Sequence, residues 1–179
     1  DSVMAADVLV KHCFPFGEMK GTAALYETAY APLLHALPDL ERRDTIVIAG
    51  PTEQVNDWVG CAGFYIGSFV QQWLDIPPTG HVVTMRFHEF YRFEDDKIVE
   101  IQAIWDIPEV MMQANAWPMA PSLGREWCVP GPATQDGLVA APYDEPKSTR
   151  TCQHIVDMLN TMIKHPSQGG PEVMELERF

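Results

Sequence analysis

Basic residues are scarce in this sequence: 12 Lys and Arg stand against 25 Asp and Glu, a formal net charge of −13. Binding a phosphate backbone needs a basic face, so the composition argues against a nucleic-acid partner and against electrostatic docking on an anionic membrane. The excess acidity reads as a solubility feature. Cysteine is also sparse. Cys13, Cys61, Cys128 and Cys152 form no CxxC pair, and no histidine stands at zinc-finger spacing from them. A structural zinc site is therefore not expected, and scattered thiols fit a reducing, cytoplasmic compartment. No run of 18 apolar residues offers a membrane span, and no signal peptide is visible. The chain opens on Asp rather than Met, so a preceding piece is expected. There is no GxSxG elbow, no phosphate-binding glycine loop and no internal repeat. The segment GCAGFYIG is glycine-rich but reads as a strand. His35, His81, His154 and His165 show no metal-ligand spacing, so neither a metal nor a cofactor is expected.

What the chain does have is strand signal, aromatic residues and methionine, with an apolar share ordinary for a globular protein. Residues 6–11 read as a short strand, followed by the turn-rich CFPFGEMKG. Residues 22–36 repeat apolar side chains at helical spacing through Leu25, Ala29, Leu33 and Ala36. Pro32 should kink or split that helix. Strands are expected over 44–49 and 58–69, the second bent by Gly60, Gly63 and Gly67. Residues 82–93 and 97–105 form the clearest hairpin, linked by Glu94-Asp95-Asp96. Short links make such neighbours antiparallel. Asp106 ends the second strand, and a short helix is expected from Pro108 to about Gln113. Residues 125–150 lose periodicity and read as a Pro/Gly-rich arm or linker. Helical spacing returns over 151–164, with Ile155, Met158, Leu159, Met162 and Ile163 on one face, and a second short helix is expected in PEVMELERF.

The segments WLDIPPTGHVV and EFYRFEDDKIVE, together with Asp106 followed by IPEVMMQ, resemble the SnoaL-like polyketide cyclase family. The upstream LLHALPDLERR and the downstream WPMAPSLG extend the likeness, which covers residues 7–124. It implies the fold of nuclear transport factor two: an α+β domain whose curved antiparallel sheet wraps on helices as a cone-shaped half-barrel around a pocket. Members usually open with a long helix ahead of the first strand, and residues 1–124 lack one. Some relatives carry two such domains in tandem. Residues 151–179 then read either as the opening helices of a second copy, or as a helix that completes its own domain or a neighbouring chain. The second option implies a homodimer with an exchanged C-terminal helix.

In cyclases of the family, an Asp in the Asp106 position acts as general acid/base in an intramolecular aldol closure, without metal or organic cofactor. The resemblance thus implies a cyclase, isomerase or hydrolase acting on a small apolar or polycyclic carbonyl compound. A non-catalytic ligand-binding or dimerisation module of the same fold is the alternative. A carboxylate in an apolar cavity suits proton transfer, but Asp is also a favoured helix N-cap. If Phe93 and Ile98 close the hairpin, then Gln102, Ile104 and Asp106 share a pocket face with Phe87, Glu89 and Tyr91. A register slip would bring in His88, Phe90 and Arg92 instead. His88 is the second acid/base candidate by residue type. Relatives often show His-Pro-Phe where this chain has Phe14-Pro15-Phe16, so His12 is a candidate substitute. Tyr26, Tyr30, Trp58, Tyr65 and Trp117 are candidate pocket walls or core residues.

Overall fold

The computed structural model describes residues 3–51, 57–120, 137–139 and 141–163, and the chain divides into two units, Asp1–Val139 and Ala140–Phe179. The first unit contains β1 (Met4–His12), β2 (Glu18–Lys20), β3 (Glu41–Pro51), β4 (Asp57–Ser68), β5 (Val82–Glu94) and β6 (Lys97–Trp105). They form one curved, unclosed sheet in the order β2-β1-β6-β5-β4-β3. Between β2 and β3 run α1 (Thr22–Leu25), a π-helical turn (Tyr26–Tyr30) and α2 (Ala31–Ala36), and α3 (Ile107–Gln113) follows β6. The class is α+β, as the sequence implies. One strand pair departs from the antiparallel expectation: β1 runs parallel to β6. Tight links force antiparallel neighbours, but most of the unit separates these two strands and no link sets their direction.

The helical segment spans the residues expected of it, and Pro32 interrupts it in a specific way. Proline lacks an N–H and crowds the preceding turn. The chain widens into the π turn just ahead of it, where the Ala31 N–H reaches back to the Tyr26 carbonyl. Leu25, Ala29, Leu33 and Ala36 are buried against the sheet. From the strands, the same core receives Val8 and Val10, Tyr65, Val83, Met85 and Phe87, then Ile101, Ala103 and Trp105.

The hairpin β5–β6 closes through Asp95 and Asp96, both in the left-handed region (φ 47 and 60). A two-residue turn of this kind matches the twist of its strands, and Asp tolerates the conformation. Phe93 does pair with Ile98, as expected, but Arg92 pairs with Glu100. Val99 is therefore an extra residue, a β-bulge. Beyond it the parity of β6 inverts. Ile101, Ala103 and Trp105 turn inward beside Phe87, Glu89 and Tyr91, while Gln102 and Ile104 turn outward. The shared face expected for Gln102, Ile104 and Glu89 is thus corrected by a one-residue bulge.

A second bulge lies in β3. Asp44 pairs with Gly63 and Ile46 with Ala62, leaving Thr45 unpaired. Here β3 presses on β4 so closely that a Cβ at Gly63 would collide with the Arg43 carbonyl oxygen and lie 2.9 Å from the Asp44 Cα. On its free edge, Val47 pairs with Leu138, its N–H donating to the Gly137 carbonyl and its carbonyl accepting from Val139 N–H at 3.1 Å.

The second unit contains α4 (Glu145–Met162). It begins at Glu145 rather than at Thr151, so the expected arm over 125–150 ends early. Asp144 is its N-cap, accepting from the Lys147 N–H at 3.0 Å, and Pro146 lies in the first turn, where proline is tolerated. The terminal PEVMELERF and most of the expected arm lie outside the described residues.

Gly63→Ala is expected to destabilise the fold by about 2 kcal/mol or more, because the obstruction is backbone and cannot step aside. Gly50→Ala, in the same sheet with open space around it, serves as the control and should change little. Denaturant unfolding of the two variants compares them directly.

Candidate functional site

The inner face of the sheet holds a buried carboxylate, Glu89, with 1% of its surface exposed. An isolated charge could not sit there; it survives because every lone-pair direction is met. Oε1 accepts from the Tyr65 hydroxyl at 3.0 Å and from the Trp105 indole N–H at 2.9 Å. Oε2 accepts from the Arg42 guanidinium and from the Tyr91 hydroxyl. Arg42 is itself fixed by Asp44, at 3.0 Å from Nη2, and its guanidinium lies 4.2 Å over the Phe87 ring. Tyr30 extends the network, its hydroxyl 3.3 Å from that of Tyr65.

These contacts set the charge states. Burial pushes the Glu89 carboxyl up, but Arg42 and the hydrogen bonds from Tyr91, Trp105 and Arg42 outweigh it and hold the group below the usual carboxylate range. Burial, with the Glu89 charge adding to it, pushes the Tyr30 hydroxyl up to about 12 and the Tyr65 and Tyr91 hydroxyls higher still. The cluster at neutral pH is thus one carboxylate, one guanidinium and three neutral phenols.

Beside it sits His12, at the end of β1 and 8% exposed. Its ring packs edge-on against Trp105 at 4.4 Å and Phe16 at 4.6 Å. Nδ1 lies 3.4 Å from Cys13 Sγ, which also accepts from the Trp105 backbone N–H at 3.4 Å and points its own hydrogen at the Trp105 carbonyl. In the tautomer that carries the ring proton on Nδ1, the lone pair is on Nε2. Nε2 is buried and has no hydrogen-bond partner among the described residues. Burial lowers the imidazole pKa from 6.5, against the opposing pull of the Glu89 charge. His12 is therefore a neutral imidazole with a free basic nitrogen in an aromatic setting.

Of the residues singled out from the sequence, Glu89, Tyr91, Phe87, Tyr30, Tyr65 and His12 are brought together here. Others are placed elsewhere. His88 and Gln102 are exposed on the outer face, with Ile104 at 61% exposure. Trp58 lines an open depression of about 510 Å³ on that same face with Ile48, Gly60 and Phe90. Although larger than the interior space, this depression lies away from the buried cluster. Tyr26 is exposed on the π turn, and Trp117 is half-buried after α3. Asp106 is the N-cap of α3: its side chain accepts from the Glu109 N–H at 3.2 Å, and its own N–H donates to the Arg86 carbonyl at 2.9 Å.

Sequence reading missed Arg42, Trp105 and Trp73. A buried Glu demands a cationic partner, and the ERRD run that opens β3 was the available signal. Among the described residues, no cluster of three or more His, Cys, Asp or Glu could hold a metal ion, and no helix is long and apolar enough to cross a membrane.

Glu89→Gln should cost about 2 kcal/mol or more, since it removes the charge that Arg42 and three other donors converge on. The pH dependence follows from the lowered pKa. Stability drawn from ionised Glu89 is complete above the ordinary value of 4.5 and drains away as pH falls towards the lower folded value. Urea unfolding between pH 7 and pH 3 should show a shallower acid loss in Glu89→Gln than in the unsubstituted protein.

The family model for SnoaL-like polyketide cyclase matches residues 1–114. Among solved structures, AclR from Streptomyces galilaeus, described as a candidate hydroxylase, superposes with a TM-score of 0.56 at 20% identity over 68% of this chain and 75% of its own. A candidate SnoaL-like polyketide cyclase from Jannaschia sp. gives 0.53 at 19% identity, over 66% of this chain and 76% of its own. IdmH from Streptomyces antibioticus, a candidate polyketide cyclase, gives 0.53 at 19% identity, over 64% and 83%. At such identities the likeness speaks for the fold alone. No curated protein matches the sequence. The family match spans more than half of the sequence, and the chain belongs to the SnoaL-like polyketide cyclase family.

Proposed function

We propose that the chain performs cofactor-independent acid–base chemistry of the cyclase or isomerase type on a small apolar or polycyclic carbonyl compound, with His12 as the base. The observation that carries this reading is the buried, unpartnered Nε2 of His12 beside the Glu89 network. A neutral imidazole in an apolar setting can take a proton from a carbon next to a carbonyl. The imidazolium so formed is favoured by the nearby Glu89 charge, which raises the His12 pKa. Glu89 itself, ionised and saturated with donors, is a poor base and serves as the fixed counter-charge. Asp106, whose contact to Glu109 N–H is that of a helix cap, is assigned to holding α3.

A second reading is favoured by one fact: the interior cavity lined by Tyr65 and Trp73 holds only about 10 Å³. On that reading the fold binds a ligand without turning it over. The two separate cleanly with a carbon acid such as 2-tetralone in D2O, with α-deuteration followed by NMR. The protein should accelerate exchange, His12→Gln should lose about a hundredfold or more of that acceleration, and Asp106→Asn should keep most of it. Because His12 works unprotonated, the rate should rise with pH through a value below 6.5 and then level off. Binding without exchange supports the second reading, and loss of exchange in a folded Asp106→Asn would return the role of base to Asp106.

We also propose a homodimer through the outer face. Ile46, Ile48, Phe90 and Ile104 are exposed there, a patch of the kind that marks an interaction site. The charges around it are already paired, Lys11 and Arg92 with Glu100 and Arg43 with Glu41, so a second copy of an acidic chain meets a locally balanced surface. Light scattering should give a dimer mass, falling to the monomer in Ile104→Glu. A monomer at all concentrations rejects it.

A further inference from the structure

We infer that Phe16 occupies the place of a ligand ring, and that the indole N–H of Trp73 is the donor waiting for that ligand's carbonyl oxygen. The inference rests on the reading that the interior binds an apolar carbonyl compound, and it adds where the ring lies and what recognises the oxygen.

Trp73 is 2% exposed, yet its Nε1 has no hydrogen-bond partner among the described residues. A buried unmatched N–H is costly, and folds avoid it unless something else supplies the acceptor. The indole lies 6.5 Å from Trp105 and 6.5 Å from Phe16, the two rings that also flank His12. One unmatched donor and one unmatched acceptor thus border the same pair of aromatic rings. Enolisation asks for that combination: a donor on the carbonyl oxygen and a base on the neighbouring carbon. The turn that presents Trp73 is itself strained. Its N–H and carbonyl both bond Ile76 across Leu74 and Asp75, which adopt φ of 49 and 63 without a glycine or asparagine.

The interior has little free space. Trp73 and Tyr65 line an interior cavity with Leu33, Leu37, Val83 and Met85, on the side of Trp73 that Phe16 and His12 do not line, and its volume is only about 10 Å³, enough for roughly one water. A ring can enter only if a ring leaves. Trp105 is fixed on β6, Tyr30 on the helical segment and Tyr65 on β4. Phe16 alone among these aromatic neighbours sits on a turn, closed by Phe16 N–H to the Cys13 carbonyl at 3.0 Å and His12 N–H to the Gly17 carbonyl at 2.9 Å, and it is half-buried rather than enclosed. Its exchange for a ligand ring trades one apolar contact for another beside the His12 and Trp73 rings, whose centroids lie 4.6 Å and 6.5 Å from its own.

The test uses 2-tetralone and its hydrocarbon counterpart tetralin as probes, with binding read by titration calorimetry. Phe16→Ala should bind both compounds about tenfold more tightly, since no ring need be displaced. Trp73→Phe should weaken 2-tetralone about 3- to 10-fold, the worth of one hydrogen bond, while leaving tetralin unchanged. Phe16→Leu stands in if Phe16→Ala does not fold. Unaltered affinities in Phe16→Ala, or equal losses for ketone and hydrocarbon in Trp73→Phe, would overturn the inference. If the unsubstituted protein catalyses exchange on 2-tetralone while these variants behave like it, this inference falls alone. If neither probe binds any form and no exchange occurs, the functional reading falls with it.

Discussion

Everything on the inner face of this sheet depends on the charge of Glu89 being met in full. A carboxylate removed from water on a strand interior would unfold the domain or lose its charge. Here four donors from four strands, Arg42 on β3, Tyr65 on β4, Tyr91 on β5 and Trp105 on β6, converge on two oxygen atoms. The network therefore ties the strands together as well as satisfying the carboxylate. It also fixes the orientation of Trp105, whose indole N–H is committed to Glu89. That orientation sets the wall against which His12, Phe16, Tyr30 and Trp73 pack.

The sheet can bring these residues together only because of two local irregularities. The bulge at Val99 turns Trp105 inward; without it the alternation carried past Ile98 would put Gln102 and Ile104 inside and Trp105 in solvent. The bulge at Thr45 lets β3 lie close over Gly63. Each costs a ladder position. Each also aims a side chain that the network requires, Trp105 in one case and the neighbourhood of Arg42 and Asp44 in the other.

Much of the fold was legible in the sequence because it follows from local patterns. Hairpin, helix and strand limits come from periodicity and turn residues, and Lys97–Trp105 stands as expected. The face of each residue was not legible, because parity is a running count and one extra residue at Val99 inverts everything after it. Asp106 was legible in two ways, as an acid/base and as a cap, and its contact is the capping one. Arg42 was missed because its partner is 47 residues away, and nothing in a linear pattern couples such positions. Trp73 escaped because the WLDI turn places Leu74 at its first left-handed position, where Gly or Asn would have marked it, although its geometry is that of a tight two-residue link.

The electrostatics narrow which chemistry such an interior can support. An ionised Glu89 repels any second negative charge near it, so an enolate forming beside the network needs compensation in the same step. In the proposed reaction His12 provides it when it takes the proton: a cation and an anion then form together, with the Glu89 charge favouring the cation. What remains is the oxygen of the enolate, and it needs a neutral donor on the side away from the carboxylate. The phenols of Tyr65 and Tyr91 are committed to Glu89, and the indole of Trp105 likewise. Among the described residues the Trp73 N–H is a buried donor that the network has not claimed. A closed, aromatic interior strengthens these interactions by excluding water, and the inferred place of Phe16 is that of the ring a ligand would replace.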